Sequence, residues 1–116
     1  SNIVILSTSY CVDNYQFFDK KYIDLLKNKY FINISRGELV DEKYLIKRIE
    51  GDYFKGLAID VLQDEQSNKN SLIDLLRLAE DKNFIITPHI AGATYASMHK
   101  TEEFVVKKYL NMVHCV

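Results

Sequence analysis

Four residues in the sequence carry side chains that could hold an anion or move a proton: Arg36, Asp60, Glu65 and His89. Arg36 follows an apolar run in the segment ISRG, Asp60 ends the apolar segment KGLAID, and His89 follows FIITP. A guanidinium can grip a carboxylate with paired hydrogen bonds, and an imidazole beside a carboxylate can act as acid and base. This set could form an acid–base site, provided that the fold brings the residues together.

Each of these residues also has an ordinary structural interpretation. A single Arg at the end of a strand is commonly a solvated charge or half of a surface ion pair. Asp60 could cap the turn after its strand, Glu65 could be an exposed loop residue, and His89 could be a purely structural histidine. The choice depends on the elements that position these residues.

The sequence alternates short apolar runs with amphipathic segments, which indicates an α/β fold. The predicted strands are 3–9, 30–35, 55–61 and 83–88, and the predicted helices are 17–28, 41–51, 71–81 and 92–113. We expect right-handed crossovers and a mostly parallel sheet of about four strands that helices cover on both faces.

The helix ends and helix faces can also be predicted. Asp41 is suited to the N-cap of the second helix and Gly51 to its end, while Thr94 or Ser97 lies near the start of the fourth. Apolar stripes predict the buried sides of the first and fourth helices. These stripes are Phe18, Tyr22, Ile23, Leu25 and Leu26, and Met98, Phe104, Val105, Tyr109 and Met112.

The carboxyl ends of parallel strands meet at one edge of a sheet, and ligands of open α/β sheets bind in the crevice outside that edge. Arg36, Asp60, Glu65 and His89 all follow predicted strands, so the fold is expected to gather them along one rim. His99 and His114 have no such placement, and we assign them no site role.

Composition narrows the classes of function. The chain has 116 residues, which fits one domain, and its net charge of −1 comes from 15 basic and 16 acidic residues, so no nucleic-acid partner is expected. No apolar run is long enough for a membrane span, and no signal peptide is visible. Cys11 and Cys115 are far apart, which favours reduced thiols in the cytoplasm over a disulfide or a metal site.

Three ordered segments resemble one protein family. NISRGELVDEKYL, GLAIDVLQDE and NFIITPHIAGATYASM are similar to consecutive blocks of the D-isomer-specific 2-hydroxyacid dehydrogenases. The resemblance covers nearly all of this chain but only the later part of the family's nucleotide-binding domain. It implies a partial Rossmann-like domain from an oxidoreductase that interconverts a D-2-hydroxy acid and its 2-keto acid with NAD or NADP.

The resemblance also implies roles for single residues. Arg36, Glu65 and His89 fall on catalytic positions, and Asp60 falls on the carboxylate that holds the nicotinamide amide. Further positions expected to contact the cofactor are Thr8, Ile34, Ser35, Arg36, His89, Ala91 and Gly92.

The implied chemistry is hydride delivery to a carbonyl carbon with protonation of its oxygen. Arg36 would grip the substrate carboxylate and polarise the carbonyl, because its planar fork supplies paired donors that a Lys lacks. His89 would give or take the proton, and Glu65 would orient His89. Gly37 is expected to let the backbone turn sharply beside Arg36.

Some expected features are missing from the sequence. It contains no GxGxxG, since its four glycines are too far apart for that turn, so the pyrophosphate lacks its usual cradle. We therefore expect residues 1–116 to be a single partial nucleotide-binding domain without the substrate domain, inactive by itself. STSYC differs from the family pattern around Thr8, and a small shift in alignment would make Asp64 rather than Glu65 the catalytic acid.

Three functions remain open. The chain could belong to a 2-hydroxyacid dehydrogenase, to a nicotinamide-sensing binding protein on the same fold, or to a non-catalytic domain that is stable only as an oligomer. An incomplete sheet leaves an edge or a face that can pair with another chain, so we expect a homo-oligomer, most simply a dimer. The identity of the hydroxy acid and the choice between NAD and NADP stay open.

Overall fold

A computed structural model of the chain describes residues 1–63 and 69–114, of which residues 69–71 and 114 are described by their backbone alone. The strands and helices alternate as predicted. They are β1 (Ile3–Leu6), α1 (Lys20–Ile23), β2 (Tyr30–Asn33), α2 (Glu42–Glu50), β3 (Gly56–Ile59), α3 (Lys69–Asp81), β4 (Phe84–Ile86) and α4 (Tyr95–His114), together with 3-10 turns at Val12–Asn14, Asp24–Leu26 and Gly37–Leu39.

The four strands form one parallel sheet in the order β1-β2-β3-β4. This confirms the predicted α/β class. Each strand is shorter than the apolar run that predicted it, because the last residues of each run lie in the loop that follows the strand. Because the strands are parallel, all four carboxyl ends lie along the same edge of the sheet.

Among the described residues, helices cover one face of the sheet and leave the other exposed, so the expectation of two covered faces is wrong for this part of the chain. Val4, Phe31, Leu57 and Phe84 lie in register on the covered face. Right-handed crossovers between strands in sequential order place every connecting helix on the same side. One face stays uncovered because the strand order has no reversal among the described residues.

The core lies between the covered face and α1, α2 and α3. Phe31 stacks on Phe18 with ring centroids 5.1 Å apart, and Ile23, Leu39 and Leu75 have no exposed surface. Burial of this kind stabilises by about 1.5–3 kcal/mol for each large apolar side chain. This core fixes the positions at which the strands end.

The predicted ends of α2 are confirmed. The Asp41 side chain accepts a hydrogen bond from the backbone N–H of Tyr44, and Gly51 is the C-cap. The first helix is much shorter than predicted and continues as a 3-10 turn, which leaves Leu25 63% and Tyr22 39% exposed. Both residues were expected to be buried, and that expectation is wrong. Leu25 lies in the 3-10 turn, whose three residues per turn change the face on which a side chain falls. Tyr22 stacks on Phe18, with ring centroids 5.6 Å apart, but stays partly exposed.

The prediction that one side of α4 is buried is also wrong. Thr94 Oγ1 accepts from Ser97 N at the start of this helix, as the sequence suggested, but every described side chain from Met98 to Val113 is exposed. Met98, Phe104, Val105, Tyr109 and Met112 are each more than half exposed. The amphipathic pattern is present in α4, but no described element of this chain packs on it.

Among residues 1–63 and 69–114, none of the helices combines the length and the hydropathy needed to cross a lipid bilayer. Cys11 is a free, exposed thiol, and Cys115 lies outside the described residues.

Candidate functional site at the carboxyl edge of the sheet

The ends of β1 and β2 border a cleft of about 370 Å³. Thr8, Ile34, Ser35 and Arg36 are among the residues that line it. The Ser35 hydroxyl donates to the carbonyl oxygen of Thr8, and Nη1 of Arg36 donates to the carbonyl oxygen of Ser35 at 2.8 Å. These bonds join the two strand ends and hold an exposed guanidinium at the cleft.

Asn33 shapes the turn that carries Arg36. Its side chain is only 2% exposed, its Oδ1 accepts from Ser35 N at 3.1 Å, and its Nδ2 donates to Arg36 O at 3.2 Å. An amide can do both because it has a donor and an acceptor on one planar group. Asn33 was not singled out in the sequence, although a polar residue at the end of an apolar run was a signal for it.

The backbone after β2 packs directly on the backbone after β3. A Cβ added to Gly37 would lie 1.9 Å from the carbonyl carbon of Leu62, and no glycine described here has a positive φ. The backbone does turn at Gly37, which begins the 3-10 turn after Arg36, but its φ is one that other residues can adopt. Close approach of the two loops is what requires a glycine here. Oε2 of the buried Glu42 accepts from Gln63 N at 2.9 Å and ties the start of α2 to the same loop.

The loop after β4 carries His89 in an unusual backbone conformation. His89 has φ of +55°, in the left-handed region that costs energy for residues with a Cβ, and its N–H donates to Thr87 O at 3.0 Å. His89, Thr87, Pro88 and Asp60 border a second cleft of about 300 Å³. The rest of that cleft is apolar, being lined by Leu62, Leu72, Leu76 and Ile86.

Asp60 is 5% exposed and accepts three described hydrogen bonds from this loop. Its Oδ1 accepts from Thr87 Oγ1 at 2.5 Å and from Ile90 N at 2.9 Å, and its Oδ2 accepts from Ala91 N at 2.9 Å. Burial by itself raises the pKa of the Asp60 carboxyl. The bonds from Thr87, Ala91 and Ile90 and the nearby His89 outweigh burial and lower that pKa below its usual value.

The predicted site residues thus fall into two neighbouring groups. The β1–β2 cleft collects Thr8, Ile34, Ser35 and Arg36, and the β3–β4 cleft collects Asp60 and His89. Asp60 N donates to Asn33 O at 3.0 Å, which links the groups through the sheet.

Three other residues were predicted to belong to the site, and none of them is among the described residues that line the two clefts. Ala91 joins the second group through its backbone N–H, and Gly92 is exposed beside open space. Glu65 and its alternative Asp64 lie outside the described residues. In the described part of the chain, no group of His, Cys, Asp and Glu side chains could hold a metal ion.

Comparison with known proteins decides which family this arrangement represents. The family profile described as D-isomer specific 2-hydroxyacid dehydrogenase, NAD binding domain, matches residues 1–91. The chain belongs to this family. The resemblance carried by the three sequence blocks is thereby confirmed.

Several members of the D-isomer-specific 2-hydroxyacid dehydrogenase family are similar to the chain in sequence. Glyoxylate reductases from Thermococcus litoralis and Thermococcus gammatolerans are 30% and 28% identical over 111 residues, which is 95% of this chain in both cases. The same match covers only 32% and 31% of those enzymes. The chain therefore spans about a third of the length of these curated relatives.

Solved structures of the family share the fold. D-lactate dehydrogenase from Aquifex aeolicus, complexed with NAD and lactic acid, is 30% identical with a TM-score of 0.82, over 98% of this chain and 38% of that one. An NAD-complexed D-isomer-specific 2-hydroxyacid dehydrogenase from Lactobacillus delbrueckii ssp. bulgaricus gives 30% identity and a TM-score of 0.83, over 98% and 37%.

The described residues fit one end of a nicotinamide dinucleotide. A carboxylate accepts about four hydrogen bonds, so Asp60 can take an amide N–H beside its three described donors. The polar cleft of Thr8, Ser35 and Arg36 offers hydrogen-bonding groups to a ribose. The sequence provides no glycine-rich turn for the pyrophosphate, so the fit is limited to the nicotinamide end.

Proposed function

We propose that this chain is part of an NAD-dependent oxidoreductase that interconverts a D-2-hydroxy acid and its 2-keto acid. The observation that carries the proposal is the shared carboxyl edge of the sheet. In a chain of this dehydrogenase family, the Arg36 turn follows β2 and the His89 loop follows β4, so both leave the sheet at the same edge with only the end of β3 between them. Two relatives act on, or are bound to, small acids of this type, namely a glyoxylate reductase and a D-lactate dehydrogenase.

Arg36 would bind the substrate. Its guanidinium is exposed at the cleft while one N–H holds the Ser35 carbonyl, so its orientation is restrained without being buried. The remaining donors can pair with the carboxylate of a 2-keto acid and polarise the adjacent carbonyl. This restraint makes binding less costly in side-chain entropy than it would be for a free Arg.

His89 would hold the proton that is exchanged with the substrate oxygen. In reduction it would give that proton to the developing alkoxide, and in oxidation it would take the proton back. Glu65, or Asp64, would orient the imidazole. Such a carboxylate fixes the tautomer of a histidine by accepting the proton of its far nitrogen.

The cofactor would lie along the same edge. Asp60 would accept from the nicotinamide amide, and Thr8, Ile34, Ser35, Arg36, His89, Ala91 and Gly92 would contact the cofactor. When bound, a reduced nicotinamide supplies the hydride. NAD is the expected form because the matching family domain is described as NAD-binding, and NADP is the alternative.

The test uses the full-length polypeptide that contains these residues and follows NAD(P)H oxidation with a panel of 2-keto acids that includes glyoxylate and pyruvate. Arg36→Gln and His89→Gln should each lower kcat/KM by at least about 100-fold, because positioned acid–base groups contribute about 10²–10⁴-fold. The 116-residue chain alone should give no turnover, since it lacks the glycine-rich turn.

Matched controls are available in the chain. Arg77→Gln and His99→Gln change the same residue types at exposed positions on α3 and α4 and should keep the parent activity. Activity that persists in the Arg36 and His89 variants would remove their proposed roles. Tight NADH binding without turnover of any keto acid would instead favour the nicotinamide-sensing function.

We also propose that the chain associates with a second copy. Ile3, Ile5 and Ile85 on the uncovered sheet face are 53%, 56% and 62% exposed. Together with Tyr30, Ile32 and Ala58, Ile3 and Ile85 line a shallow apolar groove of about 300 Å³. Contiguous exposed apolar residues on a sheet face can mark an interface.

A further inference from the structure

We infer that Asp60 is the positioning residue of His89, holding the histidine loop in place from both sides through backbone and hydroxyl donors. This inference deepens the proposed function and rests on it for the role of His89. It differs from the cofactor contact assigned to Asp60 above, because it concerns the protein's own loop.

The hydrogen bonds bracket the histidine in sequence. Thr87 lies two residues before His89, and Ile90 and Ala91 are the two residues after it. Oδ1 accepts from Thr87 Oγ1 and Ile90 N, and Oδ2 accepts from Ala91 N, at 2.5, 2.9 and 2.9 Å. Both oxygens of one buried carboxylate therefore fix the chain immediately before and immediately after the proposed acid–base group.

The loop needs such a restraint because His89 has a positive φ of 55°. A non-glycine residue in the left-handed region persists only where its surroundings hold it there. Without the carboxylate, the N–H groups of Ile90 and Ala91 would seek other acceptors, and the backbone of His89 could relax to negative φ. The imidazole would then move from its place at the carboxyl edge of the sheet, where Arg36 also lies.

Only an ionised carboxylate suits all three donors. An Asn at this position would have one acceptor oxygen and one NH2 group, and that NH2 would face a backbone N–H of either Ile90 or Ala91. Two donors facing each other leave one of the bonds unmade, and in a site 5% exposed water does not readily replace it. Asp60→Asn therefore removes one restraint with almost no change in shape.

A first experiment tests the anchoring without any activity. Hydrogen exchange of single amides, measured by NMR in the full-length polypeptide, should be about tenfold faster or more at Ile90 or Ala91 in Asp60→Asn. Thr87 N is the internal control, because it donates to Ile59 O within the sheet and not to Asp60. Unchanged exchange at both Ile90 and Ala91 would overturn the inference.

A second experiment tests the consequence for His89. Thr87→Val removes the hydroxyl donor while keeping the shape of the side chain, and Thr87→Ser restores the donor. Thr87→Val should lower kcat for keto-acid reduction by about tenfold or more with little change in KM for NADH, and Thr87→Ser should recover most of that loss. A loss confined to KM for NADH would overturn the positioning role and leave only the cofactor contact.

The outcomes separate the two proposals. If the parent polypeptide reduces no 2-keto acid, the proposed function fails, while the exchange measurement still decides whether Asp60 anchors the loop. If exchange rises in Asp60→Asn but kcat stays at the parent value in both Asp60→Asn and Thr87→Val, anchoring has no consequence for catalysis and the inference is overturned.

Discussion

Buried polar side chains fix the loops at the carboxyl edge, residue by residue. Asn33, Glu42 and Asp60 are 2%, 6% and 5% exposed, and each accepts a backbone N–H from a loop that leaves the sheet. Burying such groups is costly unless they are hydrogen-bonded, so each bond serves both to satisfy the side chain and to define the loop. These bonds consequently define the loop conformations at the proposed site.

Asp24 has a comparable role at a distance from the proposed site. It accepts from Arg48 Nε at 3.0 Å and from Tyr44 OH at 2.8 Å, while Tyr53 OH donates to its backbone carbonyl at 2.7 Å. The Arg48 guanidinium also lies over the Tyr53 ring, 4.6 Å from its centroid. These contacts connect the turn after α1 to both ends of α2.

The pH dependence of stability should reveal how much the Asp24 cluster, which consists of Asp24, Tyr44, Arg48 and Tyr53, contributes to the fold. Burial raises the pKa of Asp24, but the hydrogen bonds from Tyr44 and Arg48 and the positive charges outweigh it and lower the pKa. A carboxyl with a lowered folded-state pKa stabilises the fold above its unfolded pKa of about 3.9 and loses that contribution as the pH falls further. Urea unfolding should show Asp24→Asn less stable than the parent at pH 7, with the difference shrinking below about pH 4.

Asp74→Asn is the charge-matched control, since Asp74 is exposed on α3. A difference of equal size in both variants would contradict a specific role for the Asp24 cluster.

At the scale of elements, the order of the strands explains most of what the molecule exposes. Sequential right-handed crossovers place α1, α2 and α3 on one side, which builds a single core and leaves the other face open. The helices also bring the turn before α2 against the loop after β3. Gly37 is the point of contact between these two loops.

We therefore expect a substitution at Gly37 to destabilise the fold by steric overlap between the two loops. In Gly37→Ala the new Cβ would lie 1.9 Å from Leu62 C and 2.1 Å from Gln63 N, so the two loops must separate. Overpacking of this kind costs typically about 1–3 kcal/mol, and we expect a loss of that size in the free energy of unfolding. Chemical denaturation measures it.

Gly51→Ala is the matched control, because a Cβ there would meet only ordinary contacts at 3.7 and 3.8 Å. Equal stability of Gly37→Ala and the parent would show that the loops are not in close contact.

At the scale of the whole molecule, the uncovered face of the sheet is the surface through which we expect two copies to associate. Ile5, Ile32, Ala58 and Ile85 lie in register across the four strands on that face. Two copies that cover this row would remove apolar surface from water, which stabilises by roughly 25 cal/mol for each Å² buried. The edge strand β1 offers a further route to pairing.

Light scattering of the 116-residue chain should give the mass of a dimer at high concentration. Ile5→Lys or Ile85→Lys should shift the mass toward the monomer, because each places a charge in the apolar row. Ile73→Lys adds the same charge at an exposed position on α3, on the helix-covered side, and should leave the dimer intact. A monomeric mass of the parent chain at high concentration would end this proposal.

The amino-acid sequence alone determined the local and repeated features of this protein. The alternation of strands and helices and the capping roles of Asp41 and Gly51 follow from residues near one another in the chain. The membership of the dehydrogenase family follows from segments read in order along residues 1–91. Periodicity and capping act over a few residues, so the sequence displays them directly.

The tertiary structure alone decided which side chains hold the loops and which apolar surfaces stay open. Asp60 reaches Ile90 and Ala91 across the sheet, Gly37 meets Leu62, and the stripe of α4 has no described partner. An apolar stripe shows that a surface can be buried, but whether it is buried depends on what the strand order places opposite to it. That order, and the contacts between distant residues that it creates, exist only in the folded chain.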